Sequence, residues 1–188
     1  MARPSFKDCN LFFFDCETGG LDPRVADCVE VACIVTDATG RDIRGEYSAK
    51  VNPKLPVDPG AARVNGYNAE KWAAEGAIEM DEAMFRMLTL ARDAVFVAHN
   101  APFDWGFFQM AMSLRSQRWP GDYHRICTVA LSVPLLQAGR VTNLKLNSIA
   151  EHFGVPHEGQ HTAMGDVAAC RGVYLKLSEL YAPLFAAA

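Results

Sequence analysis

The apolar positions of this chain fall into short runs whose spacing switches between that of strands and that of helices. Leu11–Asp15 (LFFFD) is apolar up to its last residue, the pattern of a strand buried on both faces. Val29–Thr36 (VEVACIVT) combines alternation with β-branching and predicts a second strand. Asp37-Ala38-Thr39-Gly40 reads as a turn, so Ile43–Val51 is expected to return beside it as a third strand. Pro53, Pro56 and Pro59 argue against regular structure and predict an extended surface loop. Asn68 is placed to cap a short helix that runs through Ala74 and breaks at Gly76.

Between Asp81 and Arg92, the residues Ala83, Met84, Met87, Leu88 and Ala91 share one helical face. Val95–Ala98 is the next strand, and Asn100 is positioned to cap a helix over Phe103–Leu114. Within that helix Trp105, Phe107 and Phe108 read as core. Trp119, in a loop over residues 115–124, reads as the more exposed aromatic. A short strand at Ile126–Thr128 and a helix over Val129–Gln137 follow, then a helix over Leu146–Phe153 that closes at Gly154. Thr162 should cap a last helix running to about Tyr181 and ended by Pro183, with Ala186–Ala188 frayed beyond it. A three-stranded meander followed by αβα units predicts an α/β architecture: a mixed five-stranded sheet with helices on both faces.

Composition narrows this further. With 188 residues, half of them hydrophobic, the chain reads as one domain, 1–188, with its core at about 10–181. A net charge of −4 excludes broad electrostatic affinity for nucleic acid but not a grip on a strand end. Six cysteines show no CxxC pair or zinc-like spacing, which predicts free thiols. No run approaches the ~20 apolar residues of a membrane span, and the start lacks a signal-like core. A cytoplasmic protein with no membrane partner is expected.

The candidate chemistry lies in three clusters at the edges of these elements. Asp15-Cys16-Glu17-Thr18-Gly19 ends the first apolar run, and His99-Asn100-Ala101-Pro102-Phe103-Asp104 follows the fourth strand. His161-Thr162-Ala163-Met164-Gly165-Asp166 opens the last helix. Asp15, Glu17, Asp104 and Asp166 offer the hard oxygen donors that Mg²⁺ and Mn²⁺ prefer. Two such ions side by side assist phosphodiester hydrolysis, with His161 as general base, so the clusters point to a metal-dependent nuclease. Asp15 and Glu17, two apart on a strand, should face the same way. Taken singly they also fit a solvated strand end. His161 also fits an exposed histidine before a helix, with His157 its nearby competitor; His99 reads as structural, and His124 and His152 as surface residues.

Together the clusters resemble the DEDDh (DnaQ-like) family of 3′–5′ exonucleases, which includes polymerase proofreading subunits and ribonuclease T. The matching residues are Asp15, Glu17 and Thr18; His99, Asn100, Phe103 and Asp104; His161, Ala163 and Asp166. The resemblance implies an RNase H-like fold, two divalent ions and release of nucleoside 5′-monophosphates from a 3′ end. It also implies substrate contacts at Thr18, Leu21, Val64, Asn65 and Phe103, with Leu21 as a wedge against the terminal base. Val64-Asn65-Gly66-Tyr67 stands where many relatives carry a His-Gly-Ile loop, and Asn65 is expected to hydrogen-bond a base or sugar.

The expected substrate is the 3′ end of single-stranded DNA, with RNA trimming as the alternative. A non-catalytic binding module would have lost an acid, and none is missing. Repair is the expected setting. A homodimer or association with a polymerase is compatible with the sequence, although no C-terminal extension supports a dedicated proofreading role.

Overall fold

The computed structural model describes residues 5–185. Five strands are present: β1 (Asn10–Thr18), β2 (Cys28–Thr36), β3 (Ile43–Lys50), β4 (Ala94–Ala98) and β5 (Arg125–Cys127). They form one sheet in the order β3-β2-β1-β4-β5. β1 runs antiparallel to β2 and parallel to β4; β2–β3 is antiparallel and β4–β5 parallel. The mixed sheet is the one expected, with β1 longer at its C-terminal end so that Glu17 and Thr18 belong to it.

β1 takes the central place because it is apolar on both faces. Phe12, Phe14 and Cys16 point to one side, where α3 (Met80–Leu90) and α4 (Ala101–Ser113) cover them. Leu11 and Phe13 point to the other, beneath α7 (Ala163–Phe185), whose Ala163, Val167 and Cys170 form the facing stripe. α5 (Thr128–Gln137) and α6 (Leu146–Phe153) pack on α7 through Leu135, Ile149, Val173 and Leu177. On the α4 side Phe14 meets Phe108 edge-on at 4.9 Å, and Phe12 and Phe96 complete an aromatic cluster. Trp119 belongs to this cluster, 5.5 Å from the Phe12 ring, with its indole N–H donating to Asp122 O. The loop that carries it folds back onto the core, so it is not the exposed aromatic expected from the sequence.

Three other local expectations are corrected. Pro59 does not prevent structure; it starts α1 (Pro59–Asn65), because proline lacks an N–H that a first helical position leaves unused. Asp58 caps α1 by accepting from Gly60 N and Ala61 N at 2.7 and 3.1 Å. Asn100 makes no side-chain cap; it sits at φ 66°, where asparagine is tolerated, and so turns β4 sharply into α4. Pro183 does not end α7, which runs on to Phe185. It costs one bond near the terminus, while the Tyr181 hydroxyl anchors that turn to Leu131 O at 2.5 Å.

The remaining signals behave as read. Asn68 caps α2 (Ala69–Ala74) through Lys71 N, and Thr162 caps α7 through Gly165 N. Gly154, at φ 64°, closes α6. His124 is exposed, as expected, with its Nδ1 2.6 Å from Asp122 Oδ1. All six cysteines are free thiols. No helix among the described residues is long and apolar enough to cross a membrane. The expected fraying at Ala186–Ala188 lies outside the described residues.

Because Asp58 satisfies two helix-end donors, Asp58→Ala should lower stability by about 1 kcal/mol in urea denaturation. Asn100→Gly keeps the left-handed backbone and breaks no cap, so it should stay within about 0.5 kcal/mol of the parent. An equal loss in both would show that the Asn100 side chain does cap α4.

Candidate active site

The two stripes that bury the α7 face of the sheet change character at the same end of the molecule. Along β1, Leu11 and Phe13 are followed on the same face by Asp15 and Glu17, both half-buried. Along α7, Asp166 lies in the first turn on the same face as Ala163, Val167 and Cys170. Docking α7 on β1 therefore brings three acids together by the same packing that buries the core. A register shift between β1 and β2 falls between Glu17 and Thr18, ending the regular ladder where side chains must converge.

Asp104 arrives from the other side. It lies one turn into α4, 3% exposed, and accepts from the Cys16 thiol at 3.7 Å. Cys16, between the two acids of β1, points to the α4 face and so ties Asp104 to that strand. His99 is held rigidly, with Nδ1 2.8 Å from Thr128 Oγ1 and Nε2 2.9 Å from Leu144 O. Both ring nitrogens are used inside the protein, in keeping with a structural role.

Glu17, His161 and Asp166 each place a ligand atom within 4.8 Å of the others. Asp15 and Asp104 lie outside that triplet but feel its charge, Asp15 that of Asp166 and Glu17, Asp104 that of Glu17. Burial, then Asp104, Asp166, Glu17 and Glu30, hold the Asp15 carboxyl well above the usual range. Burial, then Asp166 and Glu30, push Glu17 up to about 7. Burial pushes Asp104 up to about 8, against hydrogen bonds from its own N–H, the Cys16 N–H and the Cys16 thiol. Acids forced together in this way fit a bound cation, which would relieve both the burial and the repulsion. Their oxygen donors suit Mg²⁺ or Mn²⁺. His161 is exposed, at φ 62°, immediately before the Thr162 cap. Histidine enters that left-handed region more readily than most residues, and there its ring faces the acids at the helix start.

Sequence reasoning did not single out two residues of this centre as participants. Glu30 stands opposite Glu17 in the β1–β2 register, and its Oε1 accepts from Ala163 N at 3.2 Å, holding the start of α7. Its signal was a lone acid inside the apolar run VEVACIVT. His157, read only as a rival to His161, lies 2.5 Å through Nε2 from Asp166 Oδ1.

The residues expected to meet substrate differ in exposure. Leu21 is 86% and Val64 58% exposed, whereas Phe103 is half-buried against Phe107. Thr18 is buried and donates to Gly20 O at 2.7 Å. Asn65 donates to Thr18 O and accepts from Tyr67 N, both at 3.0 Å, which fastens α1 to the end of β1.

An acidic centre at the strand ends of a mixed sheet, with a histidine at its open side, is the arrangement of a phosphodiester-cleaving nuclease. The exonuclease family profile (RNase_T) matches residues 12–174, and the chain belongs to that family as a DEDDh, DnaQ-like member. It is 33% identical to a DNA polymerase III subunit epsilon-like protein of Rhodobacter capsulatus, over 94% of this chain and 25% of that one. A PolC-type DNA polymerase III of Thermotoga maritima is 28% identical over 94% of this chain and 12% of that protein. The chain thus spans a quarter or less of these relatives' length. Among solved structures, E. coli exonuclease I in complex with a dT13 oligonucleotide superposes with TM-score 0.80 at 17% identity. That match covers 94% of this chain and 42% of the other, and it establishes the shared RNase H-like fold.

The raised carboxyls set the pH dependence of the metal-free protein. Glu17 and Asp104 bind protons more tightly folded than unfolded, so their contribution to stability is full below about pH 4. It is lost as pH rises through about 7 and 8. With EDTA, the urea midpoint should fall between pH 5 and 9; saturating Mn²⁺ should raise the midpoint most at the alkaline end. A metal-free midpoint that climbs over this range would contradict the reading.

Proposed function

We propose that this chain is a metal-dependent 3′–5′ exonuclease acting on single-stranded ends, releasing nucleoside 5′-monophosphates. The observation that carries the reading is the complete acid set, Asp15, Glu17, Asp104 and Asp166, with an exposed His161 beside Glu17 and Asp166. DNA is the favoured substrate, supported by the relatives named for DNA polymerase III and by exonuclease I bound to a DNA oligonucleotide.

The four carboxylates would hold two divalent cations, Mg²⁺ or Mn²⁺. Bound there, the cations supply positive charge to the phosphate oxygens and make water easier to deprotonate. His161 takes a proton from the attacking water, whose oxygen bonds to phosphorus as the bond to the upstream 3′ oxygen breaks. That oxygen takes up a proton and leaves a new 3′-hydroxyl, while the phosphate departs on the released nucleotide. Leu21 and Val64 supply the exposed apolar surface against which the terminal base rests. Thr18 and Asn65 act from underneath, keeping α1 at a fixed distance from β1.

Asp15→Asn or Asp104→Asn should abolish hydrolysis of a 5′-labelled single strand at saturating Mn²⁺ with the fold retained. His161→Gln should lower kcat by about 10²–10⁴-fold with little change in KM. Matched DNA and RNA oligonucleotides, with free or blocked 3′ ends, test sugar preference and polarity. Efficient cutting of a 3′-blocked or circular strand would replace the exonuclease reading with an endonuclease.

A further inference from the structure

The two histidines of the loop before α7 occupy opposite situations. His161 is exposed at the rim of the acidic centre. The His157 side chain is 9% exposed, with Nε2 2.5 Å from Asp166 Oδ1, and its Nδ1 has no hydrogen-bond partner among the described residues.

The backbone around His157 is shaped to hold it there. After Gly154 the chain turns back, Val155 N donating to Ala150 O at 2.8 Å, and lies along the first turns of α7. Two glycines on α7, seven residues apart and so on one face, clear its path. A Cβ at Gly172 would come 2.5 Å from Val155 Cγ1, and one at Gly165 2.3 Å from Gly159 O. Thr162 closes the loop, its hydroxyl and N–H donating to Gly159 O at 2.6 and 3.0 Å. The contact with Asp166 is thus set by backbone packing as well as by the side chain.

We propose that His157 is a positioning residue for Asp166, donating from Nε2 to Oδ1 so that Oδ2 is presented to a cation. The proposal rests on the reading of Asp166 as a metal ligand given above. A carboxylate that binds a cation only accepts hydrogen bonds, which places the His157 proton on Nε2. That nitrogen is then committed, so His157 is not the group that takes the proton from water. Partners of this kind orient a ligand, and their removal typically weakens metal affinity about 10–100-fold.

The test measures Mn²⁺ binding to the full chain by calorimetry, alongside ring-nitrogen NMR of the ¹⁵N-histidine-labelled wild type. His157 should show the Nε2–H tautomer. His157→Leu should weaken Mn²⁺ binding about 10–100-fold and lower kcat more than it raises KM for the oligonucleotide. His157→Gln, which keeps an N–H donor, should recover most of the loss. Gly165→Ala, which pushes the loop off the helix while His157 remains, should weaken Mn²⁺ binding as well. Wild-type affinity in both His157→Leu and Gly165→Ala, or an Nδ1–H tautomer, overturns the proposal while the metal reading stands. Should His157→Leu not fold, the tautomer and the His157→Gln and Gly165→Ala affinities decide. If the wild type binds no Mn²⁺, or Asp15→Asn binds it equally well, the metal reading itself falls and this proposal with it.

Discussion

Repulsion among buried and half-buried carboxylates is the constraint to which the rest of this molecule answers. Asp15, Glu17, Asp104 and Asp166 are gathered where water is partly excluded, and Glu30 adds a fifth acid to the field around them. Burial and mutual repulsion both oppose that assembly in the metal-free chain. What imposes it is the packing behind it: Phe12, Phe14, Phe96 and Phe108 on one face of the sheet, Phe13 beneath α7 on the other. Since β1 carries both faces of this core, its C-terminal end cannot withdraw from α7 or α4 without exposing buried aromatic surface.

The partners that surround the acids each fix one degree of freedom. The Cys16 thiol ties Asp104 to β1, Glu30 holds the first N–H of α7, and His99 braces the β4 turn against Thr128 and Leu144. These are hydrogen bonds between elements far apart in sequence, so the centre is a product of the whole sheet.

Much of this was legible beforehand because it is written in periodicity. The apolar runs at 11–14 and 94–98, the Asn68 and Thr162 caps and the Gly154 stop are local signals, and local physics decides them. The spacing of Asp15 and Glu17 likewise predicts a common face, because strand geometry alone requires it. Pro59 was local too: Asp58-Pro59 is a cap followed by a first-position proline, hidden by the neighbouring Pro53 and Pro56 that read as a loop. What else escaped depends on tertiary approach. Trp119 looked exposed because a loop's path across an aromatic cluster leaves no mark in sequence. Glu30 was visible as an acid in an apolar strand, yet its task becomes definable only when Ala163 stands opposite it.

The latch at Asn65 has a bearing on how a strand end is read. With its carbonyl and one N–H spent on Tyr67 and Thr18, the residue offers little of the donor and acceptor pattern by which one base is told from another. In the proposed reading, the exposed Leu21 and Val64 would meet any base by its flat face. For a domain that shortens strands as proposed, such indifference is an asset: an enzyme that recognised one letter would stall at the other three.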